Sequence, residues 1–226
     1  MRPAAHQQAD FIDIGLIIVD DPHDLSFIKH GDAVGEIEQL FEFFRDENDA
    51  GALVAQFDPG RKDRDTSTLN PTPGDKRLSG MGNVRASTEA GVAVGYGPVT
   101  LVARQSLGER GHKGAQADLT VEFPWSLSDR FGLRFAVGAT WADRDYMQAY
   151  FGVTAAQAQA TSFSVYTPKS GLRKVDASVG AEYAMAPSWK LQANFGVSAL
   201  GDDAAASPLV GRRAGASAAL AVAYEF

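Results

Sequence analysis

Residues 175–186 read VDASVGAEYAMA, and residues 189–199 read WKLQANFGVSA. In both stretches apolar side chains alternate with glycine, small or polar ones, and only Pro187 and Ser188 separate the two. Alternation with a period of two is typical of a β-strand whose two faces meet different surroundings. The two stretches therefore predict a hairpin of two long antiparallel strands.

The same alternation recurs along most of the chain. Runs of it cover residues 84–96, 99–104, 115–123, 131–141 and 216–226, and a weaker run covers 53–58. Strands of about 10 to 13 residues exceed the usual length of about 5 or 6 in soluble proteins. They match the roughly 9–11 tilted residues that cross a bilayer. The sequence thus predicts an all-β fold, an antiparallel outer-membrane β-barrel with about eight strands present. A soluble sandwich would alternate as well.

Two features favour the membrane barrel over the sandwich. Short connections at 97–98, 124–130 and 186–188 alternate with long ones at 58–82, 106–114, 142–171 and 201–213. Outer-membrane barrels have short periplasmic turns and longer external loops. Aromatic residues also gather at the short-turn end, as an interfacial girdle requires. They are Tyr96, Phe123, Trp125, Phe131, Tyr183, Trp189, Tyr224 and Phe226.

Acidic charge is concentrated at the front of the chain. Residues 1–50 hold 12 of the 28 Asp and Glu residues but only 3 of the 21 Lys and Arg residues, which leaves 16 acids and 18 bases for residues 51–226. This break predicts an acidic N-terminal segment over 1–50, foreign to the barrel over 51–226. The nearly neutral remainder gives no reason to expect nucleic-acid binding.

Residues 1–50 predict a short α/β-like extension rather than spanning strands. Apolar residues at helical spacing, with Phe41 and Phe44 among them, predict an amphipathic helix from Ala33 to Arg45. Phe11 to Val19 reads as a strand that could join the sheet only as an edge. The chain has no run of 18 apolar residues and shows no signal peptide, so export of the chain as written is doubtful, and aggregation in the cytoplasm is expected.

The polar face of the predicted strands carries charges of both signs. These residues would face the lumen, where they could line a pore or form ion pairs. Mixed signs favour a paired, plugged interior, with Arg85, Arg104 and Arg134 close to acids on neighbouring strands. The full set is Arg85, Glu89, Arg104, Asp118, Glu122, Arg134, Asp176 and Glu182.

No pattern in the sequence predicts a catalytic, cofactor or metal site. The absence of cysteine excludes disulfides, thiolate metal ligands and a cysteine nucleophile. His112 lies in the connection 106–114 without a G-x-S-x-G elbow, so an external polar loop is favoured over a hydrolase. The acids and histidines at 20–30 have no spacing that fixes a metal geometry, and they favour a solvated acidic turn.

Three stretches resemble the MipA/OmpV family of MltA-interacting outer-membrane proteins. Residues 141–154, WADRDYMQAYFGVT, resemble the family signature, and 201–210, GDDAAASPLV, resemble a second family stretch. The ending VAYEF resembles the assembly signal of outer-membrane proteins, carried here by Tyr224 and Phe226. The resemblance covers about residues 51–226.

The resemblance implies an outer-membrane barrel that is incomplete at the front and in contact with lipid. As in some members of the family, it would act as a scaffold joining a lytic transglycosylase to a peptidoglycan synthase. It brings no catalytic residues and no cofactor. A porin-like channel or adhesin is the alternative, as described for other members, and a truncated, non-functional gene product is another. The signature loop is expected either to contact a partner or to fold inward as a plug. Its residues are Trp141, Asp143, Asp145, Tyr146, Met147, Gln148, Tyr150, Phe151 and Gly152.

Overall fold

The computed structural model describes residues 14–18, 41–46, 49–63, 76–108 and 111–224, and its main feature is one ten-stranded antiparallel sheet. The predicted antiparallel all-β fold is confirmed. The strands are β1 (Ile14–Ile18), β2 (Phe41–Asp46), β3 (Asp49–Asp58), β4 (Ser87–Tyr96), β5 (Val99–Ser106), β6 (Ala115–Ser128), β7 (Phe131–Ala142), β8 (Gly171–Ala186), β9 (Trp189–Leu200) and β10 (Ala214–Tyr224).

Strands that follow one another from β2 to β10 are neighbours in the sheet, and β1 pairs with β10. In the part of the chain that the structure describes, β1 and β2 form the two edges, and no pairing joins them. Short turns lie at one end of the sheet. The long connections β3–β4, β5–β6, β7–β8 and β9–β10 lie together at the other end, called here the loop end.

The first fifty residues contribute more to the sheet than predicted. The helix expected from Ala33 to Arg45 is wrong where the structure describes it, because Phe41–Asp46 forms β2 and pairs with β3; residues 33–40 lie outside the described residues. β3 begins at Asp49, earlier than the predicted start at Leu53. Residues 11–19 were predicted to join the sheet only as an edge strand, and β1, which lies within them, forms an edge. The sheet therefore crosses the boundary expected after residue 50.

Two other strand limits differ from the prediction. Val84 and Arg85 precede β4, and Val84 makes an isolated bridge with Arg61. Pro124, expected in a turn, lies inside β6, which continues to Ser128. The neighbour β5 begins only opposite Val121. The Glu122 amide donates to the Pro98 carbonyl, so the nitrogen of Pro124, two residues on, faces the side where β5 has ended, and no ladder bond is lost.

Burial is reversed relative to a soluble sheet protein. Large apolar side chains on one face of the strands are exposed, whereas the buried apolar clusters lie in the long connections. One cluster contains Tyr146, Met147 and Tyr150 of helix α1 (Arg144–Phe151) together with Leu200 and Ala204. The other contains Leu78, Met81, Val153 and Leu209. Short helices α2 (Ala155–Ala160) and α3 (Asp202–Ala205) complete this region.

The helices of the described residues are all short. None of them has the length and apolar character needed to cross a membrane.

Gly91 and Gly51 form a matched pair for testing how tightly β4 and β5 pack. A Cβ on Gly91 would lie 1.9 Å from the carbonyl oxygen of Ala103, a backbone atom that cannot turn aside, whereas a Cβ on Gly51 would meet nothing within 4 Å. We expect Gly91→Ala to lower the free energy of unfolding by about 1–3 kcal/mol, and Gly51→Ala to leave it nearly unchanged. Urea unfolding in detergent micelles measures both; equal midpoints would contradict the packing.

Candidate functional site

Five buried residues from four different elements meet at the loop end of the sheet. Asp58 ends β3, Glu89 lies in β4, His112 lies in the β5–β6 connection, and Tyr146 and Tyr150 lie on α1. We refer to Asp58, Glu89, His112, Tyr146 and Tyr150 as the polar cluster. His112 was predicted to lie in an external polar loop, and its burial at 3% exposure corrects that prediction.

The ring of His112 lies between a backbone amide and two carboxylates. The Gly114 N–H donates to Nδ1 at 3.1 Å, so Nδ1 carries a lone pair and the ring proton is on Nε2. Nε2 lies 2.9 Å from Glu89 Oε1 and 3.5 Å from Asp58 Oδ2, with neither carboxylate in line with the N–H. Nδ1 is therefore occupied as an acceptor, and the N–H at Nε2 faces both acids.

Asp58 connects the sheet to α1. The Tyr150 hydroxyl lies 2.8 Å from both carboxylate oxygens of Asp58 and donates to them. Asp58 also accepts the Gly60 N–H at 2.7 Å, and Arg61 donates from Nη1 to the Tyr150 carbonyl at 2.8 Å. The end of β3 thus holds both the side chain and the backbone of Tyr150.

Tyr146 packs in the centre of the cluster. Its ring lies edge-on to His112 with 4.8 Å between centroids, 4.7 Å from the Tyr150 ring, and under the Arg173 guanidinium at 5.5 Å. Burial raises the pKa of the Tyr146 hydroxyl above its usual value. Burial, and then the neighbouring Tyr146 and Asp58, raise the pKa of Tyr150. Both hydroxyls therefore remain protonated; that of Tyr150 donates to Asp58, and that of Tyr146 accepts from Arg173 Nη1 at 3.4 Å.

The residues of the family signature build and seat α1. Asp143 caps the helix by accepting the Tyr146 N–H, and Gly152 ends it. A Cβ on Gly114 would lie 2.3 Å from the Tyr146 amide nitrogen, so the β5–β6 connection presses directly against the helix. Ser207 donates to the Phe151 carbonyl at 2.6 Å. Tyr146, Met147 and Tyr150 are buried, Gln148 and Phe151 are partly buried, and Trp141 and Asp145 are exposed.

The charged residues predicted for the lumen form ion pairs, and in two of these pairs the base is a lysine outside the predicted set. Arg104 lies 3.6 Å from Glu89 and 2.5 Å from Asp118, and Arg134 lies 3.1 Å from Glu122. Asp176 pairs with Lys174 at 3.4 Å and Glu182 with Lys190 at 3.7 Å. Arg85 is the exception, because it precedes β4 and is exposed. We call the strand face that carries these pairs the inner face.

Tyr224, proposed as part of the assembly signal, packs against Trp189 with 4.8 Å between ring centroids. Phe226 lies outside the described residues, as do the acids and histidines at 20–30.

The ligand atoms of Asp58, Glu89 and His112 lie within 4.8 Å of one another, a grouping that could hold a metal ion. An imidazole nitrogen binds a metal only when it is unprotonated, so a metal here would displace the Nε2 proton, which Nδ1 cannot take up while it accepts the Gly114 N–H. Nor do the described residues form a hydrolytic triad around His112. Ser87 and Ser106 are buried nearby, but their hydroxyls have no hydrogen-bond partner among the described residues, so no serine is paired with His112.

Sequence reasoning did not find Asp58, Arg61 or Arg173 as site residues. Asp58 and Tyr150 are 92 positions apart, and Glu89 and Gln116, whose side chains also hydrogen-bond, are 27 apart. No local spacing reports such contacts. One signal in the sequence was usable. Asp58 ends a predicted strand at the same end of the sheet as the tyrosine-containing signature at 141–154.

The fold and the site together define a class of antiparallel β-sheet protein. One face of its strands, called here the outer face, exposes large apolar side chains. The inner face carries charged pairs and is covered at the loop end by a helix. A family model described as MltA-interacting protein MipA matches residues 23–226, so the chain belongs to that family. The match confirms the resemblance and extends it well before residue 51.

No curated protein matches the chain. Among solved structures, the crystal structure of Neisserial surface protein A (NspA) is 11% identical, with 79% of this chain and 95% of that chain covered and a TM-score of 0.24.

Alkaline titration tests the burial of the two tyrosines. The stabilisation from their raised pKa values is complete below the ordinary tyrosine pKa of about 10 and is lost as the pH rises above it. We expect at least two of the six tyrosines to ionise only when the protein unfolds, followed by near-ultraviolet absorbance and circular dichroism. Tyr146→Phe and Tyr150→Phe should each shrink this late phase.

Proposed function

We propose that this protein is a non-enzymatic scaffold of the bacterial outer membrane that binds the lytic transglycosylase MltA, and through it a peptidoglycan synthase. The observation that carries the membrane part is the exposed apolar outer face of the sheet. The family description, which names an interaction with MltA, supports the partner.

The outer face is a continuous band of large apolar side chains. Register pairs place Leu101 beside Leu119, Phe135 beside Val179 and Val179 beside Phe195. Soluble monomers rarely expose contiguous apolar patches larger than a few hundred Å². Exposed members of the band are Leu53, Phe57, Val92, Val94, Val99, Leu101, Leu119, Phe135, Val137, Val175, Phe195, Val197 and Leu220.

Aromatic side chains border the band at the short-turn end. Tyr96, Phe123, Trp125, Tyr183 and Trp189 are all exposed there. Their apolar rings and polar edges suit the boundary between lipid tails and headgroups. This arrangement supports contact with outer-membrane lipid, with the short turns on the periplasmic side where a transglycosylase could bind.

Binding to MltA is tested by affinity capture in detergent. The purified chain is passed over immobilised MltA, with an immobilised, unrelated periplasmic protein as control. Retention on MltA alone supports the scaffold, and addition of a peptidoglycan synthase should then give a ternary complex. Equal retention on both columns contradicts the proposal.

A matched pair of neighbouring residues tests the seating in lipid. Phe195 is exposed on the outer face, and Asn194 lies on the inner face beside Gly180. An arginine near the bilayer midplane of a barrel costs about 2–4 kcal/mol. We therefore expect Phe195→Arg to reduce the fraction that folds into liposomes, and Asn194→Arg to have little effect.

The folded fraction is measured by heat-modifiable electrophoretic mobility. If Phe195→Arg folds into liposomes as well as Asn194→Arg does, the outer face does not contact lipid and the membrane proposal fails.

A further inference from the structure

Three side chains of the polar cluster bring ligand atoms close together. His112 Nε2 lies 2.9 Å from Glu89 Oε1 and 3.5 Å from Asp58 Oδ2, and none of the three side chains is more than 10% exposed. Atoms that bind one tetrahedral zinc ion at about 2.0–2.1 Å lie about 3.3 Å from one another. The two distances from Nε2 lie on either side of that value, so small shifts bring all three atoms to a common ion.

We propose that Asp58, Glu89 and His112 form a binding site for one zinc ion, with one oxygen from each carboxylate and Nε2 of the histidine as protein ligands. Zinc takes such mixed sets of nitrogen and oxygen, whereas calcium takes oxygen ligands alone. Three protein ligands leave the fourth position to water. This inference goes beyond the scaffold role and depends neither on MltA binding nor on the membrane seating.

The region around the three ligands contains buried polar atoms that make no hydrogen bond within the described residues. His112 Nε2 is one of them. The hydroxyl of Ser87, the cross-strand neighbour of Asp58, is another. So is the hydroxyl of Ser106, the cross-strand neighbour of Glu89. Buried polar atoms are nearly always paired, and unpaired ones mark a place that takes water or an ion. The two hydroxyls are suited to hold the water bound to the metal.

Both carboxylates are oriented by donors that a metal would leave in place. The Tyr150 hydroxyl donates to Asp58 at 2.8 Å, and Gln116 donates to Glu89 Oε1 at 3.2 Å. Each of these oxygens has a second lone pair for the ion. Hydrogen bonds to ligating carboxylates are typical of metal sites, where they fix the ligands and raise the affinity. The surroundings of the two acids therefore resemble those of metal ligands.

The balance of charge also favours a cation between the two acids. Arg104 lies 3.6 Å from Glu89 Oε2, on the side away from His112, and it also contacts Asp118. One guanidinium is thus divided between two carboxylates, and Asp58 adds a third. Buried carboxylates are costly unless charge and hydrogen bonds compensate them. A divalent ion supplies that compensation on the side that faces the histidine.

The cost of binding is one backbone hydrogen bond. Nε2 must lose its proton to bind zinc, and the neutral ring keeps that proton by transferring it to Nδ1. Nδ1 accepts the Gly114 N–H at 3.1 Å, so this bond breaks and the Gly114 amide moves away. Three bonds to zinc outweigh one backbone hydrogen bond. Zinc binding at this site therefore has its own signature, a change of the His112 tautomer.

The full chain in detergent micelles tests the site. A background variant first replaces the three other histidines, His6→Gln, His23→Gln and His30→Gln, which lie outside the described residues. His112 is then the one histidine left of four. After treatment with a chelator, we expect calorimetry to show one zinc ion bound per chain, without competition from calcium. Nitrogen NMR of the single imidazole should show its proton on Nε2 before zinc and on Nδ1 after it.

Four further substitutions in this background separate the ligands from their surroundings. Glu89→Gln and Asp58→Asn each remove a ligand charge and should weaken zinc binding by more than about tenfold. Tyr150→Phe keeps every ligand but removes a hydroxyl that orients Asp58, and it should weaken binding about tenfold. The matched control is Tyr166→Phe, which removes a hydroxyl that donates to the Asp203 carbonyl at 2.6 Å. It should bind zinc as the background variant does.

Three results would overturn the site. The first is a background variant that binds no zinc, or that binds it with the His112 proton still on Nε2. This result needs no change to the ligands, so misfolding of Glu89→Gln or Asp58→Asn does not affect it. The second is zinc binding that all the substitutions leave unchanged, which means adventitious binding to surface acids only. The third is equal competition by calcium. None of them bears on MltA capture or on folding into liposomes, and failure there leaves the zinc site standing.

Discussion

The Asp58 carboxylate is the point at which the sheet and its loop-end cover become one structure. It ends β3, accepts the amide of Gly60 and the hydroxyl of Tyr150, and lies beside the protonated nitrogen of His112. Each donor comes from a different segment, so the β3–β4, β5–β6 and β7–β8 connections are fixed relative to one another through this group. Because an unsatisfied buried carboxylate is costly, the ordering of one of these segments favours the ordering of the others.

This arrangement explains why the apolar core lies in the connections. On the proposal that the outer face meets lipid tails, that face needs no cover of protein. The inner face is charged, so it cannot serve as an apolar core either. The long connections must therefore bury their own apolar residues, which they do around Tyr146 and Met147 and around Leu78 and Met81. Small residues such as Gly138, which faces Asp176, leave room for the charged side chains between.

The sequence predicted the strands well because period-two alternation is a local property that two different environments impose on every strand. It failed at Phe41–Asp46 for an equally local reason. β2 contains a bulge between Glu42 and Phe44, so Phe41 pairs with Leu53 and Phe44 with Gly51, two positions on the same face of β3. The extra residue turns a spacing of two into a spacing of three, which reads as one face of a helix. Pro124 was predicted to lie in a turn because proline is rare within strands. The sequence does not show that Pro124 lies beyond the end of β5, where a strand tolerates it.

The site was less predictable than the fold. The ion pairs of Arg104 and Arg134 follow from strand alternation alone, because neighbouring strands bring the same face together. The burial of His112 does not, since it depends on contacts with Asp58 and Glu89, which are distant in sequence. α1 was not predicted either, because eight residues within a long connection give too short a helical pattern to stand out.

The position of α1 also limits what the family signature can do. A motif that contacts a partner directly presents its side chains to solvent, whereas Tyr146, Met147 and Tyr150 point into the protein and are buried. Asp143 and Gly152 are used for capping and ending the helix. This stretch must therefore fold against the loop end of the sheet and donate a hydrogen bond to the Asp58 carboxylate. A periplasmic partner of such a protein would bind elsewhere, and the short-turn end, which α1 leaves uncovered, offers the exposed ion pair of Glu122 and Arg134.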